Sequence, residues 1–129
     1  MTLNAVHLES AIKEGNLKEK VLEIFVKRLQ ELEGNNLLRV VLFGSVARGD
    51  SEPDSDLDIF ILVKNGTRME LTRRIVGMSV DIDIEEGDFK THISPFINVQ
   101  DEYEADKKLG IPVFRFIDEE GVVLYDVEK

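Results

Sequence analysis

Apolar residues recur every three to four positions from Leu17 through Val21, Ile24, Phe25 and Leu29 to Leu32, which predicts one amphipathic helix. Asn16 followed three places on by Glu19 reads as its capping box, and Gly34 as its stop. A shorter helix is expected over residues 5–14, carried by Val6, Leu8, Ala11 and Ile12 and closed by Gly15. Leu37 to Phe43 is apolar except for Arg39, the pattern of a central strand covered on both faces. Residues 45–49 read as a short helical turn, and Asp50 to Ser55, with Pro53, as a loop. Asp56 to Val63 then alternates as a second strand. Asp56, Asp58, Phe60 and Leu62 fall on one face, and Leu57, Ile59, Ile61 and Val63 on the other.

Downstream, Thr67 with Glu70 forms a second capping box, predicting a helix to about Val76 that Gly77 interrupts. Met78 to Ile84 alternates again and reads as a third strand, with Asp81 and Asp83 on one face. Ser94-Pro95 resembles a helix start, with Ser as cap and Pro at the first position. Asp101, Glu102 and Glu104 precede Lys107 and Lys108 before Gly110, the order a helix dipole favours. Val113 to Ile117 and Val122 to Tyr125 suggest a hairpin around Asp118-Glu119-Glu120-Gly121. The expected class is α/β (α+β): a small mixed sheet with helices mainly on one face. At 129 residues one domain is expected, with N-terminal helices over 1–34, a core over 37–84, and a C-terminal helix and hairpin over 88–129.

Composition narrows the chemistry. There is no cysteine, which excludes thiol nucleophiles, disulfides and Cys-zinc sites and suits a reducing cytoplasm. His7 and His92 are far apart, so a His-rich metal site is not expected. No apolar run approaches membrane-spanning length and no signal-peptide core opens the chain, so a cytoplasmic protein without a membrane partner is expected. The net charge is −10, and basic residues occur only as scattered pairs such as Lys27-Arg28, Arg73-Arg74 and Lys107-Lys108. Non-specific nucleic-acid binding depends on Lys and Arg neutralising phosphates, so a nucleic-acid partner is disfavoured. A small acceptor or a basic protein partner gains weight; acidity that serves only solubility explains the charge equally well.

The stretch LFGSVARGDSEPDSDLDIF, residues 42–60, carries the candidate chemistry. Gly44 would let the backbone approach phosphate oxygens closely, and the Ser45 hydroxyl could bond terminal phosphates. Asp56 and Asp58 leave the same face of the second strand, where two carboxylates repel unless a divalent cation lies between them. Arg48, one helical turn past Ser45, could face a triphosphate, or pair with Asp50 or Asp54 as a surface ion pair. A phosphate cradle beside a two-carboxylate metal platform is the minimum apparatus for phosphoryl or nucleotidyl transfer. Three rival motifs fail. An EF-hand loop from Asp54 would need Gly where Ile59 stands and Glu where Asn65 stands. The nucleophile elbow wants Gly-x-Ser-x-Gly, whereas Ser45 follows Gly44 directly. A P-loop needs Gly-Lys-Ser/Thr, which does not follow.

Gly44-Ser45, then Asp56-x-Asp58 about ten residues on, resembles the signature of the DNA polymerase beta superfamily of nucleotidyltransferases. Val46-Ala47-Arg48-Gly49-Asp50 and Ser55-Asp56-Leu57-Asp58-Ile59 look like its small prokaryotic branch, the minimal nucleotidyltransferases (MNT), which often accompany a HEPN partner in toxin–antitoxin pairs. The resemblance implies the nucleotidyltransferase fold, binding of an NTP, with ATP favoured, at Gly44, Ser45 and Arg48, and one or two Mg²⁺ ions on Asp56 and Asp58. It also implies a third carboxylate on a neighbouring strand, which helps hold the metal and can take the acceptor proton. Val80-Asp81-Ile82-Asp83-Ile84 is the segment that offers one; the family's Val-Asp-hydrophobic pattern points to Asp81, with Asp83 as the alternative. The implied activity is transfer of NMP, with AMP the favoured group, to a hydroxyl, for instance a tyrosine of a HEPN toxin, giving an antitoxin role. The alternatives are an MNT-like antitoxin that works by contact alone, and an enzyme acting on a small cationic molecule. Little remains beyond the catalytic core, so acceptor choice is expected to come from a partner or from self-assembly.

Overall fold

The helical stripe beginning at Leu17 winds Asn16–Glu33 into α1, whose Val21, Leu22, Phe25, Val26 and Leu29 are buried against the sheet. A computed structural model describes residues 16–49, 56–87 and 91–128. The helix expected at 5–14, His7, and the loop Asp50 to Ser55 lie outside the described residues. A single 3₁₀ turn over Gly34–Asn36 leads into β1 (Leu37–Phe43), followed by the short α2 (Gly44–Arg48) and β2 (Leu57–Val63). Then come α3 (Arg68–Glu85), β3 (Ile93–Val99), α4 (Gln100–Lys108), α5 (Pro112–Glu120) and β4 (Val122–Asp126).

The four strands lie in the order β3-β2-β1-β4. β1 pairs antiparallel with β2 and with β4, while β2 and β3 run parallel. Alternation along β2 divides the interior in two. Leu57, Ile59, Ile61 and Val63 pack with α1 and with Leu71, Ile75 and Ile82 of α3. Phe60 and Leu62 pack on the other side with Phe114 and Ile117 of α5 and with Phe96 and Tyr103. The two long helices therefore cover one face and the two nine-residue helices the other. Glu33 at the end of α1 accepts two hydrogen bonds from Arg74 of α3, at 2.7 and 3.0 Å, tying the long helices together.

Three expectations are corrected. Residues 78–84 are not a strand: α3 runs through Gly77 to Glu85. The segment Val80 to Ile84 alternates apolar and acidic, but Leu71, Ile75, Ser79 and Ile82 also fall at helical spacing, and these are the residues buried. Val80 and Ile84, inward on a strand reading, are half exposed instead. Thr67 does cap α3, its hydroxyl accepting the Glu70 N–H at 3.3 Å.

Ser94-Pro95 does not start a helix but lies in β3, and the following helix begins at Gln100. β3 is the edge strand, where a proline without an N–H is tolerated. Residues 113–117 belong to α5 rather than to a hairpin. Phe114 and Ile117, three apart, are buried while Arg115 and Phe116 face out, and Pro112 sits in the first turn. A strand there would have turned Arg115 inward beside Val113 and Ile117. β4 pairs with β1 instead of with a hairpin partner.

Candidate active site

β1 delivers the chain into the site. Phe43 is paired with Asp58 across the β1–β2 ladder, so Gly44 and Ser45 emerge beside the start of β2. Gly44 has φ +80°, a left-handed conformation that glycine adopts without steric cost. Its α-carbon lies directly against the Asp58 carboxylate: a Cβ built there would overlap Oδ2 and stand 3.2 Å from Cγ. The elbow and the carboxylate therefore belong to one site. α2 closes at Gly49, φ +79°, whose N–H bonds back to the Ser45 and Val46 carbonyls.

Asp56 lies exposed just before β2, and Asp58 is half-buried in its first turn of pairing. The Asp58 carboxyl is held above the usual carboxylate range. Burial is the main cause, repulsion from Asp56 adds to it, and the positive charge of Arg48 works against both. The two aspartates thus feel one another, as the alternation of residues 56–62 requires, and the charge of Arg48 is felt at Asp58. Arg48 also reaches toward α5, with Nη1 3.4 Å from Glu120 Oε2.

The third carboxylate expected from residues 81–83 does not join this pair as proposed. Asp81 is exposed on α3, a helix packed on the face of the sheet opposite Asp58. Asp83 accepts the Thr91 hydroxyl at 3.1 Å and the Ile93 N–H at 3.2 Å, anchoring the beginning of β3. β3 itself, the strand that runs beside β2, reads ISPFINV and carries no acid. Among the described residues no group of three His, Cys, Asp or Glu side chains could hold a metal ion. Two carboxylates do fit one role: Mg²⁺ is commonly held by one or two carboxylates, with substrate phosphates and water completing its shell. A pair of hard carboxylate ligands, with burial disfavouring the ionisation of Asp58, matches that demand.

Other basic and aromatic side chains have structural employment. Arg68 donates to the Ile97 carbonyl at 3.0 Å and to Glu102 at 2.9 Å, and Arg74 is taken by Glu33. Tyr103 packs on Phe60 and Phe114, with ring centroids 5.4 and 5.3 Å apart. Two residues near the site escaped sequence reasoning. Glu120 meets Arg48 across 72 positions of chain, for which no local pattern exists. Ser94 is paired with Asp58 across β2 and β3, hidden by the helix-start signal of Ser94-Pro95.

Comparison with known proteins bears on the family and the fold. The family model for the nucleotidyltransferase domain matches residues 22–115. In Methanocaldococcus jannaschii, the protein named "Putative protein adenylyltransferase MJ0141" is 32% identical over 78 residues, 60% of this chain and 76% of its own length. Two proteins of the same organism with the same descriptive name match over shorter stretches. One is 32% identical over 43% of this chain and 38% of its own length, the other 40% identical over 35% and 45%. Among solved structures, a crystal structure of a toxin–antitoxin with AMP-PNP superposes with a TM-score of 0.54 at 14% identity, covering 81% of this chain and 73% of that one. A mutant of the MntA-HpeT toxin–antitoxin superposes equally, 0.54 at 15% identity, over 82% and 73% of the two chains. No helix among the described residues is long and apolar enough to cross a membrane. With the elbow and the acidic pair in one place and the family model spanning most of the chain, this protein belongs to the nucleotidyltransferase domain family.

Proposed function

We propose that this nucleotidyltransferase moves AMP from ATP to a hydroxyl acceptor, with Asp56 and Asp58 holding Mg²⁺ and Gly44, Ser45 and Arg48 receiving the phosphates. The observation that carries the proposal is the packing of Gly44 against Asp58, which puts anion cradle and carboxylate pair within one contact. Adenine is favoured by the adenylyltransferase names of the relatives and by the AMP-PNP of the structural neighbour. When bound, Mg²⁺ would neutralise the triphosphate and lower the pKa of the acceptor hydroxyl. The chain's own contribution is positioning. Left-handed Gly44 exposes backbone to the phosphates without a side chain in the way, and Arg48 adds a positive charge beside the aspartates. In the transfer, the acceptor hydroxyl gives up its proton to solvent water, its oxygen bonds to the α-phosphorus, the bond from that phosphorus to the oxygen bridging the β-phosphate breaks, and pyrophosphate leaves with that electron pair.

A protein acceptor is the favoured class. The net charge of −10 would steer a basic partner, and both structural neighbours are toxin–antitoxin assemblies. A HEPN-type toxin tyrosine is the specific acceptor proposed. Incubating the protein with α-phosphate-labelled ATP, Mg²⁺ and a HEPN-type toxin encoded beside it tests this. Label should pass to the toxin and be lost with Asp58→Asn; undiminished labelling by that variant would refute the metal assignment. The missing acid on β3 favours a second reading, an antitoxin that neutralises by contact. Neutralisation by the Asp56→Asn/Asp58→Asn double variant without ATP would select it.

A further inference from the structure

We infer that Ser94 is a wall of the cation site beside Asp58, and that this neutral hydroxyl leaves the cation dependent on nucleotide phosphate for tight binding. The inference rests on the metal-dependent reading above. In the parallel β2–β3 ladder Asp58 is paired with Ser94. The pair shares a face. Two residues on, Phe60 is paired with Phe96 and their rings meet edge-on at 6.2 Å, while Leu57, Ile59, Ile61 and their neighbours Ile93 and Ile97 fill the opposite core. Neighbouring strands lie about 4.8 Å apart, so a side chain at position 94 can reach an ion bound by Asp58. Ser94 is exposed to solvent.

The register that puts Ser94 there is held from two sides. The Leu57 N–H donates to the His92 carbonyl at 2.8 Å. The Asp83 carboxylate grips Thr91 and the Ile93 N–H from α3. A slip of one residue would turn Ile93 out of the core, so the pairing is strongly specified. The consequence is chemical. The strand next to the aspartates presents a hydroxyl where a carboxylate would add a third hard, charged ligand. With two acids, a small hard cation keeps several waters and binds firmly only when phosphate oxygens replace them.

Binding of Mn²⁺ alone, read from the loss of its free EPR signal, tests this without turnover. The parent should bind weakly, and more tightly once a non-hydrolysable ATP analogue is present. Ser94→Asp should raise affinity for Mn²⁺ alone about tenfold or more, and Ser94→Lys should lower it by a similar factor. Circular dichroism checks that each variant folds, which an exposed edge position favours. If Asp58→Asn abolishes Mn²⁺ binding but neither charged variant at position 94 alters it, Ser94 is not at the site and the inference falls while the metal reading stands. If the parent already binds Mn²⁺ alone as tightly as with the analogue, the dependence on nucleotide is wrong. If Asp58→Asn binds as the parent does, the metal reading fails and this inference with it.

Discussion

Replacing Gly44 with alanine strikes the one contact on which the site is built. The backbone there has φ +80°, and holding a residue with a Cβ in the left-handed region costs about 1–2 kcal/mol. The new methyl would also overlap Asp58 Oδ2 and lie 3.2 Å from Cγ, so the carboxylate must turn away. Driving that side chain off its rotamer costs about 0.5–1.5 kcal/mol more. Together these predict a loss of about 1.5–3.5 kcal/mol. In a domain of this size 1 kcal/mol moves Tm by about 4 °C, so melting should fall by about 6–14 °C. Gly77 supplies the control. It lies in the middle of α3 with nothing within 4 Å of a Cβ, so Gly77→Ala should stabilise by about 0.5–1 kcal/mol. Urea unfolding at constant m reads both variants, and Mn²⁺ binding reads the displaced carboxylate in the first. If Gly44→Ala loses less than about 0.5 kcal/mol, or the two variants move the same way, the close packing of elbow on aspartate is wrong.

Neutralising Asp58 should trade function for stability. Its carboxyl is raised by burial and then by Asp56, so the folded state holds that proton more tightly than the unfolded chain. Ionisation therefore costs stability as pH climbs past the unfolded value near 3.9. In metal-free buffer at pH 7, Asp58→Asn should melt at or above the parent temperature; a clear fall would refute the assignment. Glu33 behaves oppositely. The hydrogen bonds from Arg74 hold its carboxyl below the usual range, so its contribution is present above about pH 4.3 and disappears as acid titration passes through the lowered folded value. Arg74→Ala strands a Glu33 side chain that is 1% exposed. It should cost about 2–3 kcal/mol at pH 7, discounted because Arg74 itself is 40% exposed, and the deficit should narrow on acidification followed by urea unfolding. Asp83→Ala removes the acceptor for Thr91 and Ile93 and should cost about 1–3 kcal/mol, whereas Asp81→Ala on the exposed face should stay within about 0.5 kcal/mol. Equal effects at the two positions in urea melts would contradict their different surroundings.

Local order was legible wherever one period dominated. The 3.6-residue stripe of α1, the unbroken apolar run of β1 and the two-residue alternation of β2 each admit one reading, because the residues to be buried fall at spacings only one element can satisfy. The elbow at Gly44-Ser45 and the Asp56–Asp58 pair were visible for the same reason: both lie within a few residues of those strands. Where two periods coexisted, the chain alone did not choose. Val80 to Ile84 fits a strand and a helix, and the helix forms because Leu71, Ile75, Ser79 and Ile82 complete a stripe against the sheet. Ser94-Pro95 fits a helix start and an edge strand, and pairing with β2 decides for the strand.

The sequence by itself determined the Gly44-Ser45 and Asp56-x-Asp58 segments and the strands that carry them, since both are set by neighbours in the chain. Only the tertiary structure decided that Gly44 rests on Asp58, that Asp83 ties down β3 rather than facing the aspartates, that Ser94 pairs with Asp58 and that Glu120 meets Arg48. These depend on strand register and helix docking between distant segments. Such pairings are selected by burial of the whole core, so no local pattern encodes them.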